Sequence, residues 1–219
     1  MRTKVLVFDA YGTLFDVNSA AKKCKDKIGV KWETFANFWR TTQLEYTWLR
    51  SLMKRHKNFW DITEDSLDKS MKVFNINKNM KSELLSLYKI LSPYPEVREV
   101  LEDLKKKNFK LAILSNGTPD LLNELVENNK LNNLFDDLFS IEEVKIYKPD
   151  PSVYELPVKK YKIKSGEITF LSANTWDVSG GGNFGYNSIW VNRNNSVFDI
   201  LDFQPKNEIN NLTHLLDKV

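Results

Sequence analysis

The sequence predicts an α/β chain: a doubly wound parallel-sheet core carrying an inserted helical cap. Three observations predict it. Short apolar runs rich in β-branched residues recur along the chain, amphipathic stretches of helical period separate them, and one long early interval holds helices only.

Taken in order, Lys4 to Phe8 (KVLVF) has the pattern of a strand buried on both faces. Phe109 to Leu114 (FKLAIL), Ile168 to Leu171 (ITFL) and Ser188 to Val191 (SIWV) repeat it. Glu96 to Lys107 and Pro119 to Asn128 place apolar residues at helical spacing between them. That alternation predicts parallel strands joined by right-handed crossovers. From about Asn18 to Ser92 the rhythm breaks into helices at Ala20 to Lys27, Trp32 to Leu52, Ile62 to Phe74 and Met80 to Leu91. Tyr94 and Pro95 then mark a turn. The expected division is a core of residues 1–14 and 95–219 and a cap of residues 15–94.

Composition sets the outer limits. With 219 residues, 42% of them hydrophobic, the chain can bury a sizeable core, which argues against disorder. A net charge of +3 with intermingled acids and bases gives no concentrated basic face, so no nucleic-acid partner is expected. The one cysteine, Cys24 in KKCKDK, reads as an ordinary thiol in a reducing compartment. The first apolar run ends at an acid too soon for a signal peptide, and no stretch approaches the roughly 18 apolar residues that span a bilayer. A soluble cytoplasmic protein with no membrane partner is expected.

In open parallel sheets, ligands bind outside the carboxyl ends of the strands. Asp9 stands at such an end in DAYGTLFD, where Gly12 lets the chain turn back. Ser115 and Asn116 stand at the end of the FKLAIL strand, in LSNGTPD. Ser172, Asn174 and Asp177 follow ITFL in SANTWD. Three strand ends thus bring small polar groups and acids to one edge.

These segments, together with YKPDPSVYEL and the cap segment FWRTTQLEYTWLR, resemble the haloacid dehalogenase superfamily, with its Rossmann-like core, and closely its L-2-haloacid dehalogenases. The resemblance covers nearly the whole chain. It implies that the Asp9 carboxylate displaces halide from C2 of a small 2-haloacid with inversion. The resulting ester is then hydrolysed to a 2-hydroxy acid, with no metal or other cofactor.

Most of that superfamily are phosphatases, so the departures matter. A phosphatase of this kind carries an acid two residues after the nucleophile, to protonate an alkoxide leaving group; here Tyr11 stands there. It also gathers paired acids around Mg²⁺ in its last motif, where this chain begins with Ser172. Halide leaves without a proton, so both departures suit displacement at carbon. A Mg²⁺-dependent phosphatase, a binding protein that kept the fold, and a dehalogenase acting mainly on fluoroacetate are the rival readings.

The resemblance further implies roles for individual residues. Lys148 would stabilise the Asp9 carboxylate, and Arg40 would receive charge from the departing halide. Asn116 and Trp176 would help line the halide cradle. Ser115, Asn116 and nearby N–H groups at a helix start would hold the substrate carboxylate. Tyr11 would supply a wall or a phenol contact. Leu44, four residues after Arg40, and Phe59 read equally as an apolar substrate wall or as cap core. Asn174 and Asp177 resemble the residues that position and activate water, Ser172 would orient Lys148 or Asp177, and Thr13 would bond Asp9. Tyr154 matches a family tyrosine expected near Lys148 and is grouped with the substrate contacts. A homodimer through the cap helices is expected by the same analogy.

Other signals carry less. SGGGNFG at 179–185 lacks the GK[ST] ending of a phosphate loop and reads as a helix start or tight packing. His56 reads as a surface or cap residue, the lysines at 105–107 as a solvated helix end, and Trp39, Tyr46 and Trp48 as cap or subunit packing.

Overall fold

The computed structural model describes residues 5–219. Its strands are β1 (Val5–Phe8), β2 (Lys110–Ser115), β3 (Asp137–Ser140), β4 (Ile168–Ser172), β5 (Asn187–Val191) and β6 (Asn207–Ile209). All pair in parallel, in one sheet of order β3-β2-β1-β4-β5-β6. Every residue of β1 and β4 is buried, as their unbroken apolar runs require. Lys4, expected to open the first strand, lies outside the described residues.

The helices are α1 (Ser19–Lys23), α2 (Lys25–Ile28), α3 (Trp32–Leu52), α4 (Phe59–Phe74), α5 (Lys81–Tyr88), α6 (Val97–Lys106), α7 (Pro119–Asn128), α8 (Pro151–Tyr161) and α9 (Thr175–Phe184). The connections from β1 lead to β2 and β3 on one side, whereas those from β4 lead to β5 and β6 on the other. The strand order therefore reverses between β1 and β4, the kind of place where an open sheet forms a binding crevice.

Several elements differ from expectation for identifiable reasons. The single helix expected at Ala20–Lys27 is two short ones divided at Cys24. α4 begins three residues early because the Asn58 side chain caps it, accepting from the Asp61 N–H at 2.9 Å. The helix expected at Met80–Leu91 contracts to α5. β3 and β6 had no signal: both are short, and neither is buried throughout. α9 runs straight through the glycine triplet, and its neighbours explain why. A Cβ on Gly180 would stand 2.5 Å from Tyr154 Oη, and one on Gly181 2.7 Å from the Phe170 ring. The tight-packing reading of that segment is the right one.

The helical segment before Ser92 is joined to the sheet layer by several contacts. Tyr94 N–H donates to Leu14 O (3.0 Å) and Asp16 N–H to Ser92 O (2.9 Å), so the outgoing and returning chains run side by side. Trp48 of α3 meets Trp176 of α9 edge to face, with centroids 5.4 Å apart. The Tyr147 hydroxyl donates to Lys57 O at 2.7 Å, and His56 lies 3.2 Å from Glu142. Trp39 Nε1–H donates to Thr63 O, tying α3 to α4.

Candidate active site

Asp9 directly follows β1, and its N–H donates to Leu171 O of β4 at 2.9 Å, so the carboxylate emerges where the strand order reverses. The side chain is nearly buried, at 5% exposure, and its two oxygens have unequal surroundings. Oδ2 accepts from Asn174 Nδ2 (2.9 Å), Thr13 Oγ1 (3.1 Å) and Ser172 Oγ (3.4 Å). Among the described residues, Oδ1 accepts only from Lys148 Nζ, at 3.2 Å.

Lys148 is fully enclosed. Besides Asp9, its ammonium donates to Leu114 O (2.7 Å) and to Asp177 Oδ2 (2.9 Å). An ammonium has three N–H donors, and all three are used. One buried cation therefore stands between two carboxylates. Asp177 is wholly buried, and desolvation pushes its pKa up to about 6; Lys148 opposes that rise and Asp9 adds to it.

Asp9, Thr13, Lys148, Ser172, Asn174 and Asp177 gather here, while Ser172 and Tyr154 have partners other than those expected. Ser172 was expected to orient Lys148 or Asp177. Its hydroxyl instead donates to Asp9 and accepts from Asn174 N–H (3.1 Å), the ends of β1 and β4 being adjacent in the sheet. Tyr154, grouped beforehand with the substrate contacts, is fully buried behind Asp177, donating to its Oδ1 at 2.8 Å. Thr13 bonds Asp9 as expected and also accepts from Ala173 N–H at 2.8 Å.

At the end of β2, the Ser115 hydroxyl accepts from Gly117 N–H (3.1 Å), and Asn116 Oδ1 accepts from Lys148 N–H (3.2 Å). Neither the Asn116 amide nitrogen nor the Ser115 hydroxyl donates a hydrogen bond among the described residues, so both are donors left for a ligand. Gly117 also makes room for Tyr11: a Cβ there would stand 3.0 Å from the Tyr11 ring and hydroxyl. Tyr11 packs against Phe59 (5.2 Å) and Tyr88 (5.8 Å), and burial pushes its phenol well above the ordinary tyrosine range.

Phe59 is fully buried between Tyr11 and Tyr147, and Leu44 is half-buried one turn beyond Arg40. Trp176 leans on Trp48 and faces a groove that also includes Pro149, Pro151 and Asn183. Arg40 reaches over from α3: Nη1 donates to Gln43 Oε1 (2.9 Å) and Nη2 to Tyr11 O (3.4 Å). Asn174 Nδ2 also donates to Tyr11 O, at 3.2 Å.

The same bonds bear on whether a divalent cation fits. Such an ion needs several oxygens free to converge on it. Here all four oxygens of Asp9 and Asp177 receive N–H or O–H donors, and the nearby Tyr11 carbonyl receives two. The Lys148 ammonium stands between the two carboxylates. This donor set does not suit Mg²⁺, and no group of three or more His, Cys, Asp or Glu with metal-ligand geometry occurs among the described residues.

Sequence reasoning missed Gln43 and Tyr88 beside Arg40, Thr63 behind Gln43, and Arg193, which donates to Thr13 O at 2.7 Å. Only Gln43 carried a usable signal, because a residue three positions after Arg40 on a helix lies beside it.

A parallel α/β sheet presenting a buried carboxylate and lysine at its switch point, with a helical segment packed beside it, is an arrangement suited to a hydrolase. The chain belongs to the haloacid dehalogenase-like hydrolase family, whose model matches residues 3–185. Among curated relatives, it is 38% identical over 215 residues to (S)-2-haloacid dehalogenase 4A of Burkholderia cepacia, covering 97% of this chain and 93% of the relative. It is 39% identical over 211 residues to the (S)-2-haloacid dehalogenase of Pseudomonas fluorescens, covering 95% and 93%. Among solved structures, the L-2-haloacid dehalogenase of Xanthobacter autotrophicus with chloropropionic acid covalently bound superposes with a TM-score of 0.88 at 31% identity, covering 97% and 96% of the two chains.

Proposed function

We propose that this chain is an (S)-2-haloacid dehalogenase that converts small (S)-2-haloacids to (R)-2-hydroxy acids through an ester on Asp9. The observation that carries the reading is Tyr11. Where a phosphatase needs a general acid, the chain has a buried, hard-to-ionise phenol, and the Tyr11 carbonyl is occupied by N–H donors. A leaving group that needs no proton fits this site. The relatives named above support the substrate class.

In this mechanism Oδ1 of Asp9 attacks C2, because it meets one donor while Oδ2 meets three. The C–halogen bond breaks, halide leaves toward Arg40, and configuration at C2 inverts. Oδ2 becomes the ester carbonyl oxygen. Water then attacks the carbonyl carbon of Asp9, giving its proton to Asp177, and negative charge develops on Oδ2. Thr13, Ser172 and Asn174 already donate to that atom, so it acts as an oxyanion hole. Collapse of the intermediate breaks the Cγ–Oδ1 bond, the departing alkoxide takes the proton back from Asp177 to become the 2-hydroxy acid, and the remaining proton of the Asp9 carboxyl passes to solvent, restoring the carboxylate. Lys148 stabilises both carboxylates, and Tyr154 orients Asp177.

Residues 15–94 act in this reading as a cap that brings Arg40 and Phe59 over the nucleophile and excludes water. The exposed Leu49, Leu52 and Met53 at the end of α3 support a homodimer formed through that cap. The buried, unpaired Cys24 fits a cytoplasmic location, and no described helix is long and apolar enough to cross a membrane.

The test is halide release from chloroacetate, fluoroacetate and each enantiomer of 2-chloropropionate in the presence of EDTA, beside an aryl phosphate with Mg²⁺. Release from the (S) enantiomer alone, giving the (R)-hydroxy acid, is expected. Phosphate release with silence on every haloacid would overturn the proposal.

A further inference from the structure

Arg40 is held entirely by neutral acceptors. It has no Asp or Glu partner within 4.0 Å among the described residues, and its neighbours are Gln43 Oε1, the Tyr11 carbonyl and the Tyr88 hydroxyl, all neutral. A narrow cavity beside it is lined by Val17, Ala36, Trp39, Gln43 and Tyr88, none of them acidic. The guanidinium is thus oriented without being neutralised.

The orientation comes from a buried relay across three cap helices. Gln43 is 1% exposed, and every polar atom of its amide is bonded. Nε2 donates to Thr63 Oγ1 (2.6 Å) and to the Tyr88 hydroxyl (3.0 Å). The Thr63 hydroxyl spends its own proton on Phe59 O (2.8 Å), so toward Gln43 it can only accept. That fixes the amide: nitrogen faces Thr63 and oxygen faces Arg40. A flipped amide would set N–H donors against a guanidinium that has only donors, and a buried conflict of that kind is costly.

We infer that Gln43 is a positioning residue for the halide step: its carbonyl, locked by Thr63 and Tyr88, aims the Arg40 guanidinium while leaving its charge free for the departing halide. The inference rests on the proposed role of Arg40. A neutral amide is what the task requires, since a carboxylate at this position would pair with Arg40 and cancel the charge the halide needs.

The experiment uses Gln43→Glu and Thr63→Val in the full-length protein, with two readouts. The first is single-turnover halide release from 2-chloro- and 2-bromopropionate. Chloride is the poorer leaving group and depends more on Arg40, so Gln43→Glu is expected to slow chloride release roughly ten- to a hundredfold and bromide release clearly less. Thr63→Val, nearly isosteric, is expected to change the chloride-to-bromide ratio in the same direction by a smaller factor. A purely structural role would lower the melting temperature and leave that ratio alone. The second readout is bromide binding, followed by tryptophan fluorescence in the absence of substrate. Wild type is expected to bind, and Gln43→Glu to lose binding as Arg40→Ala does. If wild type releases no halide from any haloacid, the dehalogenase reading falls, while bromide binding still tests the aiming of Arg40. A folded Gln43→Glu protein with unchanged bromide binding and an unchanged chloride-to-bromide ratio would overturn the inference.

Discussion

The Lys148 ammonium lies 2.9 Å from Asp177 Oδ2, with neither side chain exposed to solvent, and the same ammonium lies 3.2 Å from Asp9 Oδ1. The electrostatics of Asp9, the proposed nucleophile, and of Asp177, proposed to activate water, are therefore joined through one cation. Lys148→Met would leave two buried carboxylates without that charge. Breaking a buried pair from one side typically costs about 3–5 kcal/mol. We expect a marked drop in denaturation midpoint together with loss of halide release. A Lys148→Met protein that keeps wild-type stability would contradict the triad as described.

Asp177 sets a pH dependence whose sign can be worked out. Burial raises its pKa to about 6 from an ordinary aspartate value. Below that pH the acid is protonated and cannot take a proton from water, so hydrolysis of the Asp9 ester should rise with pH through about 6 and then level off. Stability runs the other way. The folded protein binds the proton more tightly than the unfolded chain, so this group's contribution is fully present below its unfolded pKa and is lost as pH rises through about 6. Stopped-flow measurement of the second step, beside urea melts at several pH values, checks both.

Asp177→Asn should separate the two chemical steps. Asp9 still attacks, so the variant is expected to release one equivalent of halide per site and stall as the ester, seen as a mass increase on the Asp9 peptide. Continued turnover at the wild-type rate would remove Asp177 from the water step.

Thr13→Val removes one of the three donors to Asp9 Oδ2 and the acceptor for Ala173 N–H. A lost hydrogen bond to a charged group is worth about 1.5–3 kcal/mol. The ester-hydrolysis rate should fall by roughly ten- to a hundredfold, and by more than the first step falls. Rapid-quench separation of the steps tests this, and an effect confined to halide release would move the oxyanion hole elsewhere.

Gly180→Ala probes the support behind the site. Its Cβ would stand 2.5 Å from Tyr154 Oη and 2.7 Å from Pro149 Cβ, so the tyrosine must move off Asp177. Overpacking of this kind costs about 1–3 kcal/mol. A lower melting temperature with slowed ester hydrolysis is expected, and thermal melts with single-turnover assays measure both.

Much of the fold was legible because burial writes strong patterns. α3 and α7 were read with their observed limits, Trp32–Leu52 and Pro119–Asn128, since each has a clear apolar stripe, and α7 carries Thr118 as cap followed by proline. β6 was invisible: Asn-Glu-Ile at a sheet edge has no apolar run to read. The clustering of Asp9, Ser115 and Ser172 followed from their places at the ends of neighbouring parallel strands. Hydrogen-bond partners did not follow, because they depend on tertiary approach. Nothing in sequence tells that the Ser172 hydroxyl faces Asp9 and not Lys148, or that Tyr88, 45 positions from Gln43, meets its amide.

The central claim is that Asp9 forms the ester and is regenerated by water attacking its own carbonyl carbon. The most direct test is a single turnover of (S)-2-chloropropionate, with enzyme in excess, in water enriched in heavy oxygen, followed by mass spectrometry of product and peptides. The account predicts heavy oxygen in the Asp9 peptide and ordinary oxygen in the newly formed hydroxyl of the product. Heavy oxygen in the product hydroxyl with none in Asp9 would mean that water attacks the substrate directly, and would contradict it.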